Sequence, residues 1–183
     1  MKSHGPWKIK ERQLKYENPW IKVYEDKVIR PDKKEGIHIF IDLKKGVAVL
    51  PMDDEGNIYL TREFHYGVGE YTLEVVSGGI DMNETPLEAA RRELQEELGI
   101  SAQKWIELGP VDRFTTYMNC RAWLFLAQGL SFNEKHPEGS ETASTVKMKF
   151  KDAVKKVMEG EIVNSMSQIL ILKAVQHSRQ EHR

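Results

Sequence analysis

One cysteine, Cys120, stands alone in a chain of 183 residues. A single thiol excludes an internal disulfide and fits a reducing compartment. Charge of neither sign prevails: 27 Lys and Arg face 28 Asp and Glu, for a net charge of −1. That balance supplies no broad basic field, which argues against a nucleic-acid partner. No apolar run is long enough to span a membrane, and the opening Met-Lys-Ser-His-Gly-Pro-Trp has no apolar signal core. Internal repeats and low-complexity tracts are absent. The expectation is one ordinary domain with a small extension and a real core, cytoplasmic, without nucleic-acid or membrane partners.

The stretch from Gly78 to Ile100 carries the most information. Thr85 suits a helix N-cap, Pro86 the first helical position, and Glu88 completes a capping box with Thr85. Gly99 is a natural stop after Leu98. The predicted helix sets Glu93, Glu96 and Glu97 within an arc of about 100°. Glu93 is three residues from Glu96 and four from Glu97, so like charges face one another. At about 6 Å and an effective dielectric near 20, each such pair repels by about 2–3 kcal/mol before screening. A cation between them removes that cost, and clustered carboxylate oxygens suit the hard ions Mg²⁺ or Mn²⁺.

Standing alone, an acidic cluster on a helix reads as a solvated face. The neighbours change that reading. Leu87, Leu94 and Leu98 form a core-facing stripe beside the acids. Ala89 and Ala90 are small and leave room for a bulky ligand, and Arg92 flanks the acids on the other side. Ser77-Gly78-Gly79 ahead of the helix lets the backbone approach a ligand.

Gly78, Glu84, Arg92, Glu93, Leu94, Glu96, Glu97, Gly99 and Ile100 match every fixed position of the Nudix box, in register, so the chain resembles the Nudix hydrolase superfamily. The resemblance implies metal-dependent hydrolysis of a nucleoside diphosphate linked to another group. It places metal ligands at Glu93 and Glu97, with Glu96 acting directly or through water, and a further ligand at the carbonyl of Ser77. Arg92 and Glu84 become orienting residues. Two or three Mg²⁺ or Mn²⁺ ions are implied.

Strands are predicted at Trp7 to Tyr16 and Trp20 to Ile29, parted by the turn signal Glu17-Asn18-Pro19, and again where Ile37, Ile39 and Ile41 alternate. Gly46 to Met52 reads as a buried strand, followed by a hairpin turn at Asp53–Asn57 into Ile58–Phe64. Tyr71–Val76 leads into the box. Trp105–Leu108, Arg121–Leu130 and Thr145–Phe150 are further strands. Helices are predicted at Lys151–Glu159 and from near Asn164, and the polar His177–Arg183 is expected to fray. The order predicts a mixed α/β (α+β) fold, an α/β/α sandwich with a mixed sheet (44–183), preceded by a small antiparallel β extension (1–43).

This layout, with Arg62-Glu63-Phe64-His65-Tyr66, Glu74-Val75-Val76-Ser77-Gly78, Phe125-Leu126-Ala127 and Glu159-Gly160-Glu161-Ile162, resembles the ADP-ribose pyrophosphatase branch of that superfamily. The resemblance implies a homodimer that shares the N-terminal sheet. Two departures stand out. The branch carries Pro-Gly where this chain has Thr115-Thr116, and an acid at Cys120. That proline goes with a preference for ADP-ribose, so its absence favours a nucleoside diphosphate sugar. His65 stands where the branch often has a substrate-facing arginine, although a lone histidine is more often structural. In the 133–141 loop, register with the branch puts Glu141 on a late metal-binding glutamate. It puts Gly139 where the branch has its catalytic base, with Glu138 one residue away as the candidate. The competing reading is a charged loop without chemistry.

A nucleotide also needs an aromatic platform and cations. Trp7, Trp20, Phe64 and Tyr66 are stacking candidates, Trp20 first, and Arg30 and Arg62 suit phosphate or ribose contacts. Aromatics at strand spacing more often belong to the core. Two alternatives stay open: a nucleotide-sugar sensor without turnover, and a hydrolase of coenzyme A, dinucleoside polyphosphates or oxidised nucleotides.

Overall fold

The computed structural model describes residues 1–133 and 144–181. In chain order its elements are β1 (Lys2–His4), β2 (Trp7–Glu17), β3 (Ile21–Ile29), β4 (Glu35–Leu43), β5 (Gly46–Pro51), β6 (Asn57–His65), β7 (Glu70–Glu74), β8 (Val76–Gly79), α1 (Pro86–Leu98), β9 (Ile100–Asp112), β10 (Met118–Asn119), β11 (Arg121–Phe132), β12 (Ser144–Lys149), α2 (Phe150–Met158) and α3 (Ser165–Glu181). They divide into two compact units, Met1–Lys45 with Asp112–Arg121, and Gly46–Val111 with Ala122–Arg183.

The first unit is a sheet of order β1-β2-β3-β4-β10. Its first four strands are antiparallel neighbours, because short turns join them. The turn before β4 contains Lys33 at φ 67° and is closed by the Arg30 N–H donating to the Lys34 carbonyl at 2.9 Å. β10 arrives from far along the chain and pairs parallel with β4, Met118 opposite Ile41. The expected extension ended at residue 43; the structure adds 112–121 to it through this pairing.

The second unit is built on a four-stranded sheet, β8-β5-β11-β9, and a three-stranded antiparallel sheet, β12-β6-β7. β5 runs parallel to β11 and antiparallel to β8, so the first sheet is mixed, as expected. Both faces of β5 are covered, which explains its unbroken apolar sequence. Val47 and Val49 pack with Ala89, Ala90, Leu94 and Leu98 of α1. Ala48 and Leu50, on the other face, pack with Ala153 and Val157 of α2 and Leu170, Ile171 and Ala174 of α3. The predicted helix–sheet–helix layering is therefore present in this unit.

The single strand expected at Tyr71–Val76 is two strands in two sheets. Glu74 pairs with Thr61, whereas Val76 pairs with Val49. At the crossing the Val75 N–H donates to Ser167 Oγ of α3 at 3.0 Å, so leaving one ladder costs no buried donor. The Asp53–Asn57 hairpin forms as predicted, with the Asp53 N–H donating to the Asn57 carbonyl at 2.9 Å. α3 stays helical to Glu181, past the point where the polar tail was expected to fray. No helix among the described residues is long and apolar enough to cross a membrane.

Candidate active site

α1 begins and ends where its sequence dictates. Thr85 caps it, its hydroxyl accepting from the Glu88 N–H at 3.3 Å while the Glu88 carboxylate accepts from the Thr85 N–H at 2.7 Å. Such a cap stabilises a helix by about 1 kcal/mol. Gly99 closes the other end at φ 64°, a left-handed conformation that suits glycine. Ala89 and Ala90 are fully buried against the sheet. This corrects the expectation that they flank a ligand space: their small side chains let the helix axis approach the strands.

The carboxylates of α1 are organised by one guanidinium. Arg92 Nε and Nη2 donate to the two oxygens of Glu84, each at 3.0 Å. Nη2 also donates to the Gly79 carbonyl at 2.8 Å. Nη1 donates to Glu93 Oε1 at 2.8 Å and Glu96 Oε2 at 2.9 Å. These bonds use all five donors of the fork, which a lysine could not supply. The Glu84 carboxyl is held below the usual glutamate range, first by the Arg92 hydrogen bonds, which outweigh its burial. Glu84 in turn accepts the Asp81 N–H at 3.0 Å, fastening the loop to the helix.

Two further contacts bring the acids to the strand before the helix. Glu93 lies against Gly78 so closely that a Cβ there would sit 1.9 Å from Glu93 Oε1. The Ser77 N–H lies 3.3 Å from Glu97 Oε1. Glu93, Glu96, Glu97, Arg92, Ser77 and Gly78 are thus brought together by α1 and β8. Among the described residues, no three acidic, histidine or cysteine side chains converge into a ready-made metal cage. The donor chemistry nevertheless fits a hard divalent ion: three carboxylates share one side of a helix beside a glycine backbone, and such ions commonly keep several waters.

The remaining predicted site residues lie apart from this cluster in the connections they make. His65 Nε2 is 3.2 Å from Glu74 Oε1, and Glu74 also accepts from Thr72 Oγ1 at 2.6 Å. The Arg62 guanidinium lies 5.0 Å from the Tyr71 ring centre. Trp20 and Arg30 belong to the first unit. Trp20 sits one residue ahead of β3, 65% exposed. Arg30 pairs with Asp32 at 3.0 Å across the turn before β4. Glu138 and Glu141 lie outside the described residues.

Sequence reasoning missed the partner of His65. Glu74 is nine residues away, and only the β6–β7 pairing, with His65 opposite Glu70, brings the two strands together. It also missed the Asp53 hub. Asp53 accepts from the Asn57 backbone N–H at 2.8 Å and the Tyr59 hydroxyl at 3.0 Å, and lies 3.3 Å from Lys147 Nζ. Burial alone would raise the Asp53 carboxyl, but these donors outweigh it and hold the group well below the usual range.

Comparison with known proteins agrees with this architecture. The NUDIX domain family matches residues 42–166, and the nucleoside diphosphate sugar hydrolase N-terminal domain matches residues 7–40. The chain belongs to the Nudix hydrolase family. It is 32% identical over 125 residues to an ADP-ribose pyrophosphatase of Mycobacterium tuberculosis, covering 66% of this chain and 60% of that protein. It is 27% identical over 167 residues to an ADP-ribose pyrophosphatase of Bacillus subtilis, covering 90% of each. A crystal structure of an ADP compounds hydrolase superposes with a TM-score of 0.88 at 18% identity, covering 99% of this chain and 98% of that one, which establishes the shared fold.

Proposed function

We propose that the protein hydrolyses the pyrophosphate bond of a nucleoside diphosphate sugar, releasing a nucleoside monophosphate and a sugar phosphate. The observation that carries this reading is the Arg92-organised carboxylate set of α1, seated on Gly78. Glu93, Glu96 and Glu97 would hold Mg²⁺ or Mn²⁺, with the Ser77 carbonyl as a further ligand. Bound there, divalent ions neutralise the diphosphate and lower the pKa of water. Arg92 and Glu84 keep the carboxylates in place before substrate arrives, so little reorganisation is needed at the reacting bond. Glu138 and Glu141 are the proposed base and late ligand.

ADP-ribose and GDP-mannose are the substrates to compare first. The family matches and the names of the relatives support this class, and Thr115-Thr116, in place of the branch's Pro-Gly, weakens the assignment to ADP-ribose in favour of a nucleoside diphosphate sugar. Trp20, Arg30, Arg62 and His65 are proposed to hold the nucleotide, and the N-terminal sheet to form a homodimer, in a reducing, cytoplasmic setting.

Glu97→Gln tests the reading. Phosphomonoester release at saturating Mg²⁺ should fall by about two orders of magnitude or more, with an unchanged circular dichroism spectrum. Normal turnover in that variant would overturn the proposal.

A further inference from the structure

Strand alternation gives the β6–β7 ribbon one polar face. Tyr59 of β6 packs on the α1 side of the sheets, with Ala89, Ala90 and Leu94. Thr61, Glu63 and His65 follow at two-residue steps and share that side. Their partners across the ladder, Glu74, Thr72 and Glu70, share it too. This face is polar yet deep at one end, where Thr61, Thr72 and Glu74 are all buried. His65 is the one base among its six residues.

A carboxylate so buried costs stability unless it is paired and hydrogen-bonded, and a packed apolar residue would serve the sheet at least as well. Glu74 is held from two sides. Thr72 Oγ1 donates to its Oε1 at 2.6 Å, and His65 Nε2 lies 3.2 Å from the same oxygen. The Val75 N–H, one residue on, is fastened to Ser167 Oγ, so the backbone beneath the acid is anchored as well. The His65 side chain is far more open, 40% exposed against 12% for Glu74. A fixed acid behind an accessible imidazole determines which ring nitrogen is engaged and which is presented outward. We propose that Glu74 is a positioning residue of the substrate site, holding His65 at Nε2 and leaving Nδ1 to meet the nucleoside diphosphate sugar. The inference rests on the hydrolysis proposed above, since it names what orients one of that site's binding groups.

The test is a double-mutant cycle on phosphomonoester release in Mg²⁺, with ADP-ribose, GDP-mannose, ADP-glucose and UDP-glucose as substrates. Wild type, His65→Ala, Glu74→Leu and the double variant are compared. On the best substrate each single variant should raise KM about 10-fold, with kcat changed by less than about 3-fold. The double variant should be no worse than His65→Ala alone, because Glu74 then has nothing to hold. Thr72→Val loosens the same carboxylate and should raise KM only where His65 is present; it decides the matter if Glu74→Leu unfolds. An equal effect of Glu74→Leu with and without His65 makes the acid purely structural and overturns the proposal. So does an unchanged KM in His65→Ala or in a folded Glu74→Leu. No product from wild type with any of the four substrates overturns the hydrolysis reading itself, and this inference falls with it.

Discussion

Gly78→Ala separates a steric requirement of the site from one of the fold. Gly78 does not occupy the left-handed region, so alanine meets no backbone penalty there. Its Cβ, however, would fall 1.9 Å from both Cδ and Oε1 of Glu93, and ordinary contact begins at 3.4 Å. The carboxylate must therefore retreat by about 1.5 Å (from 1.9 to 3.4 Å). It can do so, being the end of a flexible side chain, but the 2.8 Å bond to Arg92 is then lost. That loss costs about 1–3 kcal/mol of stability, not the fold. The site suffers more: a misplacement of about 1 Å can reduce turnover about 100-fold. The expected result is a folded variant whose phosphate release falls about 100-fold and whose half-maximal Mg²⁺ concentration rises. Unchanged turnover with an unchanged Mg²⁺ requirement would refute the reasoning, since Glu93 would then have no fixed task.

Gly46→Ala should do the reverse: its Cβ would lie 2.8 Å from the Gly78 carbonyl, a backbone atom that cannot step aside, so urea unfolding should show a loss of about 2 kcal/mol or more. Asp53→Ala should destabilise the protein by about 2–3 kcal/mol, because the Asn57, Tyr59 and Lys147 donors lose their acceptor, and urea midpoints at constant slope should register it. Glu84 and Asp53 are both depressed in the folded state. Their contributions are therefore fully present above the ordinary carboxylate range and are lost as pH falls through their folded values. Thermal unfolding should thus be insensitive to these groups between about pH 6 and 8 and fall in acid, and Glu84→Gln with Asp53→Asn should flatten that acid limb.

Local chemistry made much of this structure readable in advance. The capping box, Pro86 and Gly99 bounded α1 because each acts within one turn of its own position. The Gly46–Met52 run declared a strand with two covered faces. What escaped was decided at long range. Nothing in Tyr71–Val76 marks a change of sheet, since the stabilising hydroxyl comes from Ser167. The two-residue β10 has no periodicity to detect; only β4 defines it. Ala89 and Ala90 were small in the sequence, but whether that admits a ligand or a strand depends on what lies opposite. At the site, the acids and their arginine were legible from spacing on one helix. The contact of Glu93 with Gly78 was not, because it depends on how closely β8 passes beneath α1.

The claim at the centre is that the α1 carboxylates grip divalent ions. Electron paramagnetic resonance of Mn²⁺ titrated into the 183-residue chain, with Glu97→Gln alongside, tests it most directly. The wild type should deplete the free-ion signal stoichiometrically, and the variant, equally folded, should leave it markedly less depleted. Equal depletion by both proteins would contradict the account.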